Sequence, residues 1–340
     1  KLNNIFFLDE YLSIKINREK YINFSSIENL KKIRKELGDE NFCSSIQFFL
    51  ESFLVNYLKL IQKIHKFDNI CLSGGIFANV ILNFKLYEAT NYKNIYIFPA
   101  MNDEGSAAGA AIMSALNNKE NLDWLKNCKL PYFGPEFNNE EILNVLKSFN
   151  KKIKFNYIND MHQRAKICSE LILENKVVGV FQGKTEFGPR ALGNRSILAN
   201  AANKNAIELL NDKIKKRKKY QPFCPVILEE DRKELFKNSY NHKHMAICFK
   251  MNEEFKNILP SATHIDLTAR PQFIEKDDNE FIYLILKHIK EKIGFGVAIN
   301  TSFNKHGNSM VSNPNQALDD FSSSNMDALI IGDYFVERNE

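Results

Sequence analysis

Residues 177–196 read VVGVFQGKTEFGPRALGNRS and are the most informative part of the chain. The first five are apolar or glycine and predict a short buried strand, because a compact apolar run bounded by turn residues is typical of one. The turn that follows contains glycine and proline and holds three cations: Lys184, Arg190 and Arg195. Ligands bind at strand ends in α/β sheets, and arginine offers a planar fork to phosphate oxygens. The segment therefore predicts an α/β fold with a phosphate-binding loop.

The chain around this loop alternates between strand, turn and helix. Residues 69–72 form an apolar candidate strand that stops at a serine and two glycines, and residues 77–87 are typical of a helix. A second candidate strand, residues 95–98, leads through MNDEG into a helix rich in small residues. Downstream, residues 223–228 and 296–299 are further candidate strands. This order of elements indicates an α/β layer architecture.

Length and composition limit the class of protein. The chain has 340 residues, 44% hydrophobic and 26% charged, which is enough for two folded domains and excludes a disordered chain. The net charge of +5 does not by itself require a nucleic-acid partner. No window holds 18 uninterrupted apolar residues, so we expect neither a membrane span nor a signal peptide. Six dispersed cysteines without a CxxC pair are typical of reduced thiols, which predicts a cytoplasmic location.

The two turns in the first part of the chain each allow a functional and a structural interpretation. Ser73, Gly74 and Gly75 carry backbone N–H groups that can face a phosphate or ribose, with Asn79 one helical turn further on. A plain tight turn fits the same residues about equally well. Asp103 follows the second candidate strand, where a carboxylate can hold a metal, but an acidic turn also caps the next helix. The residues alone favour the cap.

Three polar segments further along the chain are candidate ligand contacts. Residues 213–219 read KIKKRKK, which fits a solvated helix face, a nucleic-acid patch or additional phosphate ligands. Residues 263–272 bring together histidine, aspartate, two threonines and arginine, and residues 300–304 are almost wholly polar. Both of these segments can hydrogen-bond a nucleotide, and either can equally be an internally satisfied turn.

Taken in order, several segments resemble signature blocks of the O-carbamoyltransferase family of nodulation and antibiotic-tailoring enzymes, the NodU/CmcH type. They are LSGGIFANVILNFKL, FPAMNDEGSAAGAA, VVGVFQGKTEFGPRALGNRSILA, THIDLTARPQ and the segment from NTSFN to GD. The resemblance extends from about residue 40 to residue 336. It implies half of an actin/hexokinase-like (ASKHA) transfer domain at residues 1–130, a linker at 131–150 and a YrdC-like α/β domain at 151–340.

The resemblance also implies a reaction in two steps. The YrdC-like domain makes carbamoyl-adenylate from carbamoyl phosphate and ATP, with Mg²⁺. The transfer domain then moves the carbamoyl group to a hydroxyl of a sugar or natural-product acceptor, with an iron-type metal, Fe²⁺.

The family motifs imply roles for individual residues. Those that match the adenylating pocket are Lys184, Arg190, Arg195, Arg217, Arg270, Ser302 and Asn304. Those that match a nucleotide-facing turn of the transfer domain are Ser73, Gly74, Gly75 and Asn79. Asp103 matches the family's metal-ligand aspartate, which reverses the preference for a helix cap.

The sequence departs from the family pattern in two ways. After the basic run, Lys218 stands in place of an acid and Gln221 in place of an arginine. No HxxxH pair occurs, and nothing before residue 40 matches the first half of the transfer domain. Since the chain also begins with Lys1 rather than Met, we expect the transfer domain to be truncated or completed by a separate subunit.

Two other functions stay open at this point. The basic run and the family's kinship with tRNA threonylcarbamoylation suggest an RNA-binding or tRNA-modifying protein, and the two substitutions suggest a non-catalytic relative. Under the preferred interpretation the expected partners are carbamoyl phosphate, a hydroxyl-bearing acceptor and the completing polypeptide. Neither a membrane nor a nucleic acid is expected.

Overall fold

The computed structural model describes residues 2, 5–9, 11–127, 131–150, 153–216, 223–256 and 259–339. Helices and strands alternate along them, which confirms the predicted mixed α/β class. The chain forms two units: Lys1–Leu72 with Asn79–Ile97, and Ser73–Ala78 with Phe98–Glu340. Within the described ranges, no helix combines the length and apolar character needed to cross a lipid bilayer.

The first unit is mainly helical. Its elements are β1 (Phe6–Leu8), β2 (Ile14–Ile16), α1 (Arg18–Ser25), α2 (Ile27–Leu37), α3 (Asp39–His65), β3 (Asn69–Leu72), α4 (Val80–Ala89) and β4 (Asn94–Ile97). The side chains of Asn17 and Ser26 accept backbone N–H groups at the starts of α1 and α2, as N-caps do. β1 and β2 form an antiparallel hairpin, whereas β3 and β4 pair in parallel. The helix α3 packs against α4, and together they bury Leu54, Leu58, Leu82, Phe84 and Leu86.

Much apolar surface of this unit is exposed. Every side chain of α1 and α2 is at least partly exposed, and α3 buries only Leu54 and Leu58 among its 27 residues. Large apolar side chains on these helices reach 73% exposure at Ile27 and 70% at Phe48. Parallel sheets normally have both faces covered, and two strands alone are marginally stable. Within the described residues, β3 and β4 pair with each other and with no further strand.

The second unit contains the remaining elements. They are α5 (Asp103–Asn117), α6 (Asn139–Ser148), β5 (Ile153–Tyr157), α7 (Met161–Leu173), β6 (Val178–Phe181), β7 (Arg195–Ala199), α8 (Ala206–Leu210), β8 (Cys224–Leu228), α9 (Arg232–Leu235), β9 (Phe249–Lys250), β10 (Thr268–Ala269), β11 (Gln272–Ile274), α10 (Glu280–Ile293), β12 (Val297–Ser302), α11 (Pro314–Ser323), β13 (Ala328–Ile331) and β14 (Tyr334–Arg338). Eight strands form one mixed sheet in the order β11-β8-β12-β7-β6-β13-β14-β5. The pairs β11/β8 and β6/β13 are parallel, and the others are antiparallel.

Side-chain alternation divides this sheet into two faces. The helices α7 and α10 pack together over one face and bury Val178, Val180 and Leu198 in the main core of the unit. The alternate residues Phe181 and Arg195 stand opposite each other in register and point to the other face. The Arg195 side chain is therefore buried on the face of the sheet opposite α7 and α10. It belongs to the arginine loop, by which we mean residues 182–196.

The segment predicted as a linker lies in the second unit of the structure. Residues 131–150 contain α6, whose N-cap Asn138 and Glu141 form a capping box. The backbone of Gly134 donates to Thr185 O at 2.9 Å, and Thr185 N donates to Pro135 O at 3.1 Å. Because the segment packs on the arginine loop, its prolines and glycine form a structured support. The two compact units have other bounds than the predicted domains at 1–130 and 151–340, and those domain bounds stay a prediction.

Candidate functional site

The buried carboxylate of Glu186 organises the arginine loop. Its Oε1 accepts three backbone N–H groups, from Leu192 at 2.8 Å, Asn194 at 2.8 Å and Arg195 at 3.1 Å. Burial raises the pKa of the Glu186 carboxyl, although the three donors act in the opposite direction. One carboxylate oxygen thus holds three backbone N–H groups of the loop and fixes the shape of the turn. The sequence interpretation missed this residue, although it is the only acid in the loop.

Arg195 belongs to the framework of the loop. Its guanidinium is completely buried and lies over the Phe181 ring, 3.6 Å from the centroid. Nη1 donates to Gln182 O at 2.5 Å, and Nη2 donates to Gly183 O at 3.1 Å. Burial lowers the pKa of Arg195 to about 10. Arg195 thus binds backbone carbonyl groups of the loop from its buried side. Its role as a ligand contact stays a prediction.

The loop forms one wall of a pocket of about 120 Å³, which we call the cationic pocket. Arg190 and Arg270 line it together with residues 300–302 at the end of β12. The apolar part of the wall comes from Pro189, Ala191, Phe223, Cys224 and Met245. Arg270 Nε donates to Cys224 Sγ at 2.8 Å, which fixes the guanidinium at the wall. Two guanidinium groups, with no carboxylate among the described lining residues, make a site suited to a small anion such as a phosphate group.

The Lys215 ammonium anchors the polar segment after β12. Lys215 is almost fully buried, and its Nζ donates to Ser302 O at 2.6 Å and to Asn304 Oδ1 at 2.6 Å. Ser302 Oγ donates to the same Asn304 oxygen, also at 2.6 Å. The predicted pair of Ser302 and Asn304 is therefore brought together, with Ser302 on the pocket wall. Lys215 belongs to the basic run, but its burial separates it from a solvated cationic face.

Other predicted residues lie elsewhere. The side chain of Lys184 is exposed, and its carbonyl accepts Asn194 Nδ2 at 2.7 Å. Arg217 lies outside the described residues, as do Lys218 and Gln221. Among the predicted adenylate contacts within the described ranges, Arg190, Arg270 and Ser302 line the same pocket.

The glycine turn lies next to the segment that carries Asp103. Gly74 has a φ of +117°, and its N–H donates to Met101 O at 2.8 Å. Asn79 caps α4, because its Oδ1 accepts Leu82 N at 3.1 Å. Asp103 is the first residue of α5, where its negative charge interacts favourably with the positive end of the helix dipole. Both structural interpretations of these turns are thus compatible with the geometry, and the ligand roles of Ser73, Gly74, Gly75, Asn79 and Asp103 stay predictions.

Asp103 was predicted to be a metal ligand. In the part of the chain that the structure describes, no cluster of three or more histidine, cysteine or acidic side chains could hold a metal ion. A single carboxylate does not make a stable site for iron. The described residues therefore do not fit an iron centre by themselves, and we derive no step through a metal.

Gly188 fixes the tip of the arginine loop against the segment at residues 98–103. Its φ is +123°, and a Cβ there would lie 2.7 Å from Pro99 O. The ring of Phe187 also meets that of Phe98 edge to face, with centroids 6.5 Å apart. The loop can approach this closely only because residue 188 has no side chain.

Substitution of Gly188 by alanine is expected to lower the free energy of unfolding by at least about 2 kcal/mol, through backbone strain and a clash with fixed backbone atoms. Gly294 is the control. Its φ is +88°, but a Cβ there meets nothing within 4 Å, so Gly294→Ala should cost only about 1 kcal/mol. Denaturant unfolding of the two variants measures the difference. Equal losses would show that the contact with Pro99 is unimportant.

These features define the class of protein: a mixed α/β protein with a small cationic pocket that suits a phosphate-containing ligand. The chain belongs to the carbamoyltransferase family. The family model described as Carbamoyltransferase C-terminus matches residues 169–338, half of the chain, and the one described as Carbamoyltransferase N-terminus matches residues 4–112. The N-terminal match begins upstream of residue 40, where we placed the start of the resemblance. All residues of the cationic pocket lie within the C-terminal match.

Several known proteins are similar in sequence. The uncharacterized protein MJ1058 of Methanocaldococcus jannaschii is 45% identical over 335 residues, covering 95% of this chain and 55% of the relative. The nodulation protein NolNO of Sinorhizobium fredii is 31% identical over 306 residues, covering 88% of this chain and 44% of the relative. The chain thus spans about half the length of these relatives.

Two solved structures match part of the chain at low identity. Full-length HypF, in a phosphate- and nucleotide-bound form, matches 55% of this chain and 22% of its own, with 17% identity and a TM-score of 0.37. Sua5 of P. abyssi matches 50% of this chain and 46% of its own, with 14% identity and a TM-score of 0.35. Likenesses of this size carry no argument about function.

Proposed function

We propose that this chain is an O-carbamoyltransferase component that forms carbamoyl-adenylate from carbamoyl phosphate and ATP at the cationic pocket. Water splits carbamoyl phosphate into carbamate and inorganic phosphate, and a carbamate oxygen then attacks the α-phosphorus of ATP, so that pyrophosphate leaves. The observation that carries the proposal is the convergence of Arg190, Arg270 and Ser302 on one small pocket within the C-terminal family match. We assign this part of the second unit to the YrdC-like role. Its eight-stranded mixed sheet supplies the strand ends around which the pocket is built.

Each side chain of the pocket has a chemical task in this proposal. Arg190 and Arg270 bind the phosphate oxygens and stabilise the negative charge that develops when pyrophosphate leaves. Ser302 lines the same wall, where Lys215 and Asn304 hold its hydroxyl in place. ATP brings Mg²⁺ on its own phosphates, since no described residue of the wall is a carboxylate. The adenylate hydrolyses easily, so the proposal requires that water be kept from it until the carbamoyl group is transferred.

The transfer step requires more than this chain, in our proposal. The apolar surfaces of α1, α2 and α3 and the parallel pair of β3 and β4 lack a covering layer within the described residues. We propose that another polypeptide segment, in the same protein or in a separate subunit, covers them and completes the actin/hexokinase-like transfer domain. That segment would supply further ligands beside Asp103 for the Fe²⁺ site. The acceptor is a hydroxyl group of a sugar or natural product.

No described feature favours the alternative functions. In the basic run at residues 213–219, Lys215 is buried against Ser302 and Asn304 and is not available to a nucleic acid. Lys218 and Gln221, which suggested a non-catalytic relative, lie outside the described residues.

The direct test is an isotope-exchange assay. We expect the isolated chain to catalyse exchange of labelled pyrophosphate into ATP only when carbamoyl phosphate is present, and not to carbamoylate an acceptor alone. Exchange without carbamoyl phosphate, or none with it, would contradict the adenylation step. Carbamoylation of an acceptor by the isolated chain would contradict the need for a completing polypeptide.

A further inference from the structure

A second positively charged pocket lies in the first unit, and the proposed reaction does not use it. Its volume is about 620 Å³, and its cations are Lys59, Lys63 and Lys66 at the end of α3. Lys59 and Lys63 stand four residues apart, so they lie on the same face of the helix. We call this site the lysine pocket. It shares no residue with the cationic pocket.

The lysine pocket carries positive charge that the described residues do not neutralise. The acidic residue of its wall is Asp68, whose carboxylate binds Lys93 Nζ at 2.7 Å. In the described part of the chain, none of the three pocket lysines forms an ion pair. The carbonyl end of α3 contributes about half a negative charge, much less than three ammonium groups offset. The pocket therefore attracts an anion with more than one negative charge.

Hydrogen bonds hold the wall of the lysine pocket in place. Gln62 Oε1 accepts the backbone N–H of Asn91 at 3.1 Å, and Asp68 O accepts that of Lys93 at 2.7 Å. These bonds join the end of α3 and the start of β3 to the turn before β4. A ligand therefore has to order only the lysine side chains, since the backbone around them is already held.

An aromatic ring completes the lysine pocket. Phe67 is 64% exposed and lines the pocket. The His65 ring stacks on that of Phe67, with centroids 5.8 Å apart and an interplanar angle of 3°. Nucleobases stack on aromatic rings of this kind beside basic grooves. Phe67 is the one aromatic residue among the described lining residues, which suits a single base rather than the successive bases of a strand.

We propose that the lysine pocket binds a nucleoside polyphosphate, with its base on Phe67 and its phosphates on the three lysines. A volume of about 620 Å³ lies in the usual range of small-molecule sites. The phosphates complement the unneutralised charge and the base complements the exposed ring, whereas inorganic phosphate would leave the ring unused. The inference does not depend on the proposed function, because the two pockets have no residue in common.

A fluorescent substitution observes this site separately from the cationic pocket. Phe67→Trp keeps an aromatic ring in the lysine pocket, and a base that stacks on an indole quenches its emission. We expect ATP to quench this variant saturably, beyond the change in the wild type, whose one tryptophan is Trp124. Adenosine should bind about tenfold more weakly than ATP, because it leaves the three lysines without phosphate partners.

Two lysine substitutions test the phosphate contacts. Lys59→Ala combined with Lys63→Ala in the Phe67→Trp chain should raise the Kd for ATP by about five- to thirtyfold, as two exposed charge pairs predict. Lys147 is an exposed lysine in the last turn of α6, so Lys147→Ala is the matched control and should leave the Kd unchanged. All three lysines are exposed and alanine favours helix, so we expect these variants to fold.

Several results would overturn the inference. They are no saturable quenching by ATP, equal binding of adenosine and ATP, and a Kd for ATP that the double lysine substitution leaves unchanged. A single-stranded oligouridylate that binds more tightly than ATP in this assay would assign the pocket to RNA and overturn the inference too. Absence of carbamoyl-phosphate-dependent exchange in the wild type would contradict the proposed function and leave this inference untouched.

Discussion

Arg190→Ala should reduce carbamoyl-phosphate-dependent ATP–pyrophosphate exchange by about 10²- to 10³-fold, the usual effect of removing one group that stabilises transition-state charge. Arg190 lines the cationic pocket from the arginine loop, and Arg270 lines it from the segment before β11. We expect Arg270→Ala to cause a loss of similar size. Steady-state exchange, with the concentrations of ATP and carbamoyl phosphate varied separately, measures the effect.

Two matched substitutions separate this effect from a general loss of positive charge. Arg18 is an exposed arginine on α1, so Arg18→Ala should leave the exchange rate unchanged. Lys184 stands in the arginine loop but its side chain is exposed, so Lys184→Ala should cost much less than Arg190→Ala. Equal losses for Arg190 and Lys184 would mean that phosphate binds at the outer surface of the loop. No loss at Arg190 would remove the loop from the active site.

Glu186→Ala should lower the free energy of unfolding by about 3 kcal/mol, because it leaves three buried N–H groups without an acceptor. The loop would also lose the shape that directs Arg190 into the pocket. We therefore expect exchange activity to fall by at least tenfold at a temperature where the variant is still folded. Denaturant unfolding and the exchange assay together measure both effects.

Glu186→Gln is the matched control. The glutamine oxygen can still accept the three N–H groups, so most of the stability and activity should remain. Burial raises the pKa of Glu186, so the folded state favours the protonated carboxyl more than the unfolded state does. The contribution of this group to stability thus falls as pH rises from the unfolded to the folded pKa. Glu186→Gln should remove that part of the pH dependence, and an unchanged profile would show that Glu186 does not titrate there.

Local patterns were enough to predict several elements of the fold. Residues 69–72 were predicted as a strand and form β3 with the same bounds, and the candidate strand at 223–228 is β8, one residue shorter. The hairpin of β1 and β2 was missed, because each strand has only three residues and no alternation long enough to detect. Sheet order was equally inaccessible, since the neighbours β6 and β13 lie about 150 residues apart in the chain.

The candidate site was predicted as a set of segments rather than as a set of contacts. Arg190, Arg270 and Ser302 were chosen from three separate motifs, and they meet in one pocket. The role of Glu186 was missed, because it depends on partners that only the folded chain brings within hydrogen-bonding distance. Glu186 was inside the quoted motif, so its position was visible in the sequence but its structural role was not.

The position of β14 has a consequence for how the protein folds. β5 joins the large sheet only through β14, with Phe155 opposite Val336. During synthesis, residues 153–157 therefore leave the ribosome long before their partner strand exists. Such non-local pairing slows folding and leaves strand edges open in the meantime, which favours aggregation. The strand β14 is therefore the element that ties β5 to the rest of the sheet.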